Sequence, residues 1–203
     1  MRVSDLVGEG HERAVRVLLP VRGTRDQWHA WADIVPGAVI DGATTWEQIS
    51  DGAPALVQPP YGSLSEQTSE ALVAALTRDG ERECDFIHWA GYAEDDILPR
   101  EDVVVPAWAL PLVRRLSVDP KKSIRQGVPL DIVVIREPLS WLARELPLHT
   151  QQCPMLILPH DRSFVTACPI YHDSVYIGCT RELGDSLLAA DLDSYPISLD
   201  SVI

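Results

Sequence analysis

The 203-residue sequence predicts a single α+β domain with a mixed or antiparallel sheet, three or more helices packed on it, and a C-terminal β-hairpin followed by a helix. Three observations support this fold class. Strand-like and helix-like patterns follow one another in mixed order, without the regular alternation of a parallel α/β sheet. No internal repeat and no long Ser, Gly or Pro linker divides the chain. Near the end, two strand patterns flank a short turn and a helix pattern follows.

The first half of the chain predicts one strand and three helices. Residues 14–21 alternate apolar side chains and are typical of a strand. Capping-box patterns begin a helix over 24–35, with Trp28 and Trp31 on one apolar stripe, and a short helix at 44–47. A third capping pattern, Ser63 to Glu66, predicts a helix over 63–78, after a proline-rich extended loop.

The second half predicts most of the sheet. In the first of its strands, Cys84, Phe86 and His88 share one face, and Ile87 and Trp89 share the other. A short helix follows Pro138. Strands are predicted over 84–89, 103–113, 130–135, 164–170 and 175–179, and the last helix over 180–190.

Composition limits the classes of function. The formal net charge is −13, which disfavours nucleic acid and anionic membranes as partners. No apolar stretch reaches the ~18 residues of a membrane span, and the N-terminus does not resemble a signal peptide. No glycine-rich phosphate loop occurs. The sequence therefore predicts a cytoplasmic protein without a cofactor.

The four cysteines have no recurrent spacing and apolar neighbours, so we expect reduced, mostly buried thiols. A zinc site would need close ligand pairs, and only Cys168 and His172 approach that spacing. We therefore expect no bound metal, although zinc on an unusual scaffold stays open as an alternative.

A nucleophilic mechanism is a second possibility for the same region. It would use Cys168 or Cys153 as the thiol and His160 or His172 as the base, with Asp161 or Asp173 orienting the imidazole. The alternation of the strand also gives Cys168 a place in the core. The sequence does not show whether these side chains converge.

Asp161 and Arg162 form the most distinctive pair. The planar guanidinium of Arg162 suits a carboxylate or phosphate ligand. The structural alternative is that Asp161 caps the start of the strand while Arg162 pairs with a carboxylate inside the fold. Both interpretations remain open from sequence.

Four segments resemble, in order, a family of uncharacterised actinobacterial proteins. They are Pro60–Leu64, Cys84–Tyr92, Pro159–Phe164 and Tyr171–Cys179. The resemblance covers roughly residues 55–192 and implies no activity, because none is assigned to the family. The chain departs from the family where Tyr171 and Asp173 replace two acidic residues, and where Gly178-Cys179 replaces Gly-Gly.

Two functions from different classes follow. The first is a protein-interaction module, such as an inhibitor, immunity protein or accessory subunit, which binds a basic protein partner. Residues 79–102 carry nine acidic and two basic side chains, and the proposed contact residues are Glu94, Asp95, Asp96, Glu101 and Asp102. A solvated loop is the plain alternative. The second function is a small enzyme or small-molecule-binding protein that uses His160, Asp161, Arg162, Cys168, His172 and Asp173.

Overall fold

A computed structural model describes residues 1–23, 27–54, 57, 60–89, 105–116, 124–125, 128–129, 132–144 and 152–203. Its helices are α1 (Val3–Val7), α2 (Trp31–Ile34), α3 (Trp46–Ile49), α4 (Glu66–Leu76), α5 (Leu110–Leu116), α6 (Trp141–Arg144) and α7 (Arg181–Leu188). Its strands are β1 (Arg13–Leu18), β2 (Val21–Arg22), β3 (Trp28–His29), β4 (Glu83–Trp89), β5 (Ile124–Arg125), β6 (Val128–Pro129), β7 (Ile132–Pro138), β8 (Leu156–Pro159), β9 (Phe164–Ala167), β10 (Ser174–Cys179) and β11 (Ser194–Ile197).

Seven strands form one sheet in the order β11-β1-β10-β9-β8-β4-β7. Every neighbouring pair in it is antiparallel. Strands β9 and β10 pair as predicted, with Tyr176 opposite Ala167, and α7 follows at once. The predicted α+β fold with a C-terminal hairpin and helix is confirmed.

Helices cover both faces of this sheet. On one face, Leu72 of α4, Leu142 of α6 and Leu187 of α7 pack with Phe86 of β4 in one apolar core. The opposite face has a second core, in which Leu6 of α1 and Val113 of α5 pack on the sheet; we call it the α1/α5 face. The predicted alternation along β4 is confirmed, because Cys84 and Phe86 belong to the first core and Ile87 to the second.

Local side-chain chemistry sets the helix starts. Ser65 caps α4 by accepting the Thr68 N–H at 3.0 Å, and Thr180 caps α7 by accepting the Leu183 N–H at 3.3 Å. Helix α3 begins one residue later than its predicted box, since the Gln48 side-chain carbonyl accepts the Thr45 N–H at 2.8 Å. Both longer helices therefore lie within their predicted ranges, although the cap of α4 is Ser65 and not the predicted Ser63.

Two predicted elements were wrong. Trp28 lies in β3, opposite Arg22 of β2, and the predicted helix over 24–35 shrinks to α2; tertiary pairing overrides the helical periodicity there. Residues 24–26, the start of the predicted box, lie outside the described residues. Residues 103–104 of the strand predicted over 103–113 lie outside the described residues. The rest of that segment contains the start of α5, whose Leu112, Val113 and Leu116 pack at helical spacing.

Candidate functional site

The main candidate site begins with three side chains on neighbouring strands. Arg16 of β1 lies opposite Tyr176 of β10 and opposite Tyr195 of β11. Directly opposed residues in antiparallel strands project to the same face, so the three side chains stand side by side on the sheet. The Arg16 guanidinium carbon lies 5.9 Å from the centre of the Tyr176 ring.

Arg16 is a buried cation with an extensive set of hydrogen bonds. It is 2% exposed. Its Nη2 donates to Asp173 Oδ1 at 2.9 Å, and its Nε donates to Ser174 Oγ at 2.8 Å. Its Nη1 donates to the carbonyls of Gly42 and Thr44, at 3.0 and 2.6 Å. These contacts engage four of its five N–H groups, so the positive charge is satisfied within the protein.

The loop before α3 covers the ion pair of Arg16 and Asp173. Asp173 Oδ2 accepts the Trp46 N–H at 2.9 Å, so one carboxylate holds both Arg16 and the start of α3. Asp41 shapes the loop by accepting the N–H groups of Ala43 and Thr44 at 2.8 and 3.0 Å on Oδ1. This exposed turn carries an acidic side chain next to the buried pair.

These elements enclose a cavity of about 690 Å³, which we call the tyrosine cavity. Its size suits a small organic molecule. Four tyrosines line it, and so do His172 and three carboxylate side chains. The lining includes Arg16, Asp41, Glu47, Tyr61, Tyr171, His172, Asp173, Tyr176 and Tyr195.

Three tyrosines and the histidine of the cavity are uncharged at pH 7. Burial raises the pKa of Tyr176 to about 12, and burial together with the Asp193 hydrogen bond raises the pKa of Tyr195 to about 12. Burial, followed by the charges of Glu47 and Asp173, raises the pKa of Tyr61. Burial lowers the pKa of His172, which keeps the imidazole uncharged.

Glu47 and Asp41 therefore determine the charge of the site. Among the described residues, the cation of the lining is Arg16, and Asp173 balances it at 2.9 Å. Hydrogen bonding to the Ala43 N–H is the main cause that lowers the pKa of Asp41, so this carboxylate stays ionised below its usual range. The cavity thus combines aromatic walls with a net negative charge.

His160, Asp161 and Arg162 lie at a different place. They form the turn between β8 and β9, whereas His172 and Asp173 precede β10 at the other end of β9. A four-residue strand spans about 13 Å, so the two groups do not form one site. Asp161 caps its own turn by accepting the Ser163 N–H at 2.9 Å and pairs with Arg82 at 3.1 Å.

The residues around His160 line a second depression of about 650 Å³, which we call the Asp85 groove. Asp85 of β4 is 1% exposed and accepts the Arg136 Nε–H at 2.8 Å. His160 Nε2 lies 3.4 Å from the same carboxylate oxygen. The Arg162 guanidinium lies 5.1 Å from the centre of the Trp108 ring. The groove is lined by Asp85, Pro106, Ala107, Trp108, Arg136, Leu158, Pro159, His160 and Arg162.

The proposed nucleophile Cys168 lies in the core. Cys153 and Cys168 are 3% and 2% exposed, and they contact each other. The hydrogen bond with Cys168, and then burial, raises the pKa of Cys153 well above that of an ordinary thiol. Among the described residues, no histidine is hydrogen-bonded to either thiol. This geometry supports the core interpretation and gives nothing that would generate a thiolate.

The proposed acidic contact residues Glu94, Asp95, Asp96, Glu101 and Asp102 lie outside the described residues. The strand within that acidic stretch is described, and it changes one part of the hypothesis. Asp85 is buried and paired with Arg136, so its charge does not contribute to a solvated acidic face.

Sequence reasoning found His172, Asp173, His160 and Arg162, and it missed the residues that complete the two sites. The strongest missed signal is Arg16, a charged side chain inside the apolar strand that begins at Ala14. Arginine is almost never fully buried unless it is paired, so its position called for a carboxylate elsewhere in the chain.

Two familiar structural features are absent from the described residues. No helix in the described ranges is both long and apolar enough to cross a membrane. Within those same residues, no three His, Cys, Asp or Glu side chains are grouped so that they could hold a metal ion. No protein-family model, curated protein or solved structure matches the chain.

Proposed function

We propose that the protein binds a small organic cation in the tyrosine cavity. The observation that carries this proposal is an aromatic cavity of about 690 Å³ whose own arginine is already balanced by a carboxylate. The proposal follows the small-molecule-binding alternative from the sequence and retains His172 and Asp173 as site residues.

The charge of the lining favours a cation over an anion. Asp41 and Glu47 are exposed, and Arg16 is bonded to Asp173. A positively charged group near Asp41 and Glu47 would be attracted by both carboxylates, by an amount that solvent screening reduces. An anion would meet repulsion of the same size.

The aromatic walls favour a cation that carries an apolar shell. A tyrosine ring attracts an ammonium group by about 0.5–1 kcal/mol at exposed sites and more where water is excluded. Tyr176 is buried and Tyr171 is 60% exposed, so the rings extend from the sheet to the surface. An alkylated ammonium loses less hydration energy on entering such a site than a bare metal ion does.

Isothermal titration calorimetry with matched ligands tests the proposal. We expect choline or benzyltrimethylammonium to bind at least about tenfold more tightly than 3,3-dimethylbutan-1-ol, the neutral isostere of choline. Glu47→Gln should weaken the cation by roughly tenfold, because one nearby charge is lost. Glu70→Gln removes the same charge from the exposed side of α4 and should leave the affinity unchanged.

A neutral isostere that binds as tightly as both cations would refute the proposal. Equal losses in Glu47→Gln and Glu70→Gln would do the same, because they would show only the effect of overall charge. Tyr61→Leu provides an independent measurement, as it removes an aromatic wall without changing any charge.

A second candidate function rests on the charge of residues 79–102. Nine acidic and two basic side chains occur in these 24 residues, and such a density favours a basic protein partner. Replacing Glu94, Asp95, Asp96, Glu101 and Asp102 together by Ser should abolish capture of that partner, and capture by the natural protein should weaken as salt rises. A variant that captures the same protein equally well would exclude this function.

We also propose a cytoplasmic location. All four cysteines are free and buried, which is typical of proteins kept in a reducing compartment. Fractionation of the native host, followed by detection of the protein with an antibody, checks this assignment.

A further inference from the structure

We propose that the Asp85 groove is a second binding site, which takes the carboxylate or phosphate group of a small anion. It lies on the same α1/α5 face of the sheet as the tyrosine cavity but toward the other edge. Strands β4 and β1 are four positions apart in the sheet, which is roughly 19 Å at the usual strand spacing. The two sites can therefore be occupied independently.

Asp85 lies on β4, between β7 and β8 in the sheet. Asp85 lies opposite Arg136 of β7 and Leu158 of β8, so these three residues project to the same face. The carboxylate is 1% exposed, whereas the side chains of Arg136 and His160 are 42% and 44% exposed. The negative charge is therefore buried beneath the groove, whereas the Arg136 guanidinium and the His160 imidazole reach its surface.

Asp85 orients two of the side chains that line the groove. Arg136 donates its Nε–H to Asp85 Oδ1 at 2.8 Å, and Nη2 lies 3.4 Å from Oδ2. His160 Nε2 approaches Oδ1 at 3.4 Å. With Nε2 directed at the carboxylate, the other imidazole nitrogen is left for a hydrogen bond with an incoming group.

Arg162 supplies the recognition group. Its side chain is exposed and its guanidinium stacks over Trp108 at 5.1 Å. Across the described parts of the chain, this guanidinium donates no hydrogen bond and forms no ion pair. Stacking orients an arginine while leaving its N–H edge available for two parallel bonds to a carboxylate or phosphate.

The backbone supports the same assignment. Arg162 has a φ of 58°, in the left-handed region that is unfavourable for a side-chain-bearing residue. The turn is held by Asp161, which accepts the Ser163 N–H and pairs with Arg82. Asp161 therefore positions Arg162 without neutralising it, which separates the roles of the two residues.

Calorimetric titration with inorganic phosphate and with benzoate, at about 50 mM salt, tests the site. We expect at least one of these anions to bind with a Kd of about a millimolar or below. Arg162→Gln should weaken binding roughly tenfold or more, because a bidentate charged contact is lost. The anion that binds more tightly identifies the chemical group that the site prefers.

Arg181→Gln is the matched control. Arg181 is also exposed, but it begins α7, which packs on the opposite face of the sheet. This variant should keep the anion affinity within about twofold, the scale of a distant screened charge. His160→Asn gives a second measurement and should also weaken binding, whether or not Arg162→Gln folds well.

Two results would overturn the proposal. One is a natural protein that binds neither phosphate nor benzoate. The other is an equal loss of affinity in Arg162→Gln and Arg181→Gln, which would indicate a general effect of charge. Saturating the tyrosine cavity with choline should leave the anion titration unchanged. Failure at either site therefore says nothing against the other.

Discussion

The bonds of Asp173 predict a large loss of stability in Asp173→Asn. Asparagine has nearly the same size, so the variant isolates the charge. The Arg16 side chain is 3% exposed and would become a buried cation without a counter-ion. Removing one partner of a buried pair costs about 3–5 kcal/mol. In addition, an amide nitrogen at the position of Oδ2 cannot accept the Trp46 N–H.

We therefore expect Asp173→Asn to lower the free energy of unfolding by about 3 kcal/mol or more. For a chain of this size, the same loss lowers the melting temperature by at least about 6 °C. Urea unfolding followed by tryptophan fluorescence measures it, because the backbone N–H of Trp46 donates to the changed side chain. The control is Asp185→Asn, which breaks an exposed pair with Arg13 and should cost less than about 1 kcal/mol.

The reasoning would be refuted if Asp173→Asn cost no more than Asp185→Asn. A double-mutant cycle with Arg16→Met sharpens the measurement. The double variant should lose less than the sum of the two single variants, by about 0.5–3 kcal/mol, because each single variant leaves one buried charge unpaired and the double variant leaves none. Strict additivity would show that Arg16 and Asp173 do not stabilise each other.

Three further predictions concern other positions. Arg162→Ala should change the free energy of unfolding by less than about 1 kcal/mol, since the stacked side chain is exposed; a larger loss in a urea titration would mean that Arg162 is structural. Burial raises the pKa of Cys84 to about 12 and that of Cys179 to about 11. A thiol reagent at pH 8 should therefore label the native protein far more slowly than the unfolded chain. Rapid labelling of the native protein would contradict the burial of these thiols. Burial lowers the pKa of His88 to about 4, whereas a histidine in an unfolded chain titrates near 6.5. The unfolded chain therefore binds more protons between these values, and stability should fall as the pH drops from about 6.5 to 4. His88→Leu should flatten the plot of urea midpoint against pH in this range. An unchanged slope would show that other groups cause the loss of stability.

Local signals predicted the elements that depend on local chemistry. Ser65 and Thr180 cap α4 and α7, and both helices were predicted within a few residues of their bounds. Strand β4 followed from its alternation. Strands β8 and β11 were not predicted, because β8 is four residues long and β11 has a proline within it, so neither displays a period. Their place is set by pairing with β4, β9 and β1.

The sites were harder to predict because their residues are distant in the chain. Asp173 was a candidate from sequence, but its partner Arg16 lies 157 residues earlier. His160 was a candidate too, and its neighbour Asp85 lies 75 residues earlier. No spacing rule connects such residues. Only the strand order, which places β1 beside β10 and β4 beside β8, brings them together.

Each proposed site contains a buried aspartate that pairs with an arginine. The charge of the ligand that each site is proposed to bind depends on whether that arginine is buried or exposed. Among the described residues, Asp85 and Asp173 are the two buried acids. Asp173 encloses Arg16, whose side chain is 3% exposed, so the charge that remains in the tyrosine cavity belongs to exposed carboxylates. Asp85 holds Arg136 with its side chain 42% exposed, beside the stacked Arg162, so positive groups face the Asp85 groove. The proposed cation site at one edge of the sheet and the proposed anion site at the other thus differ in whether the paired arginine remains in contact with water.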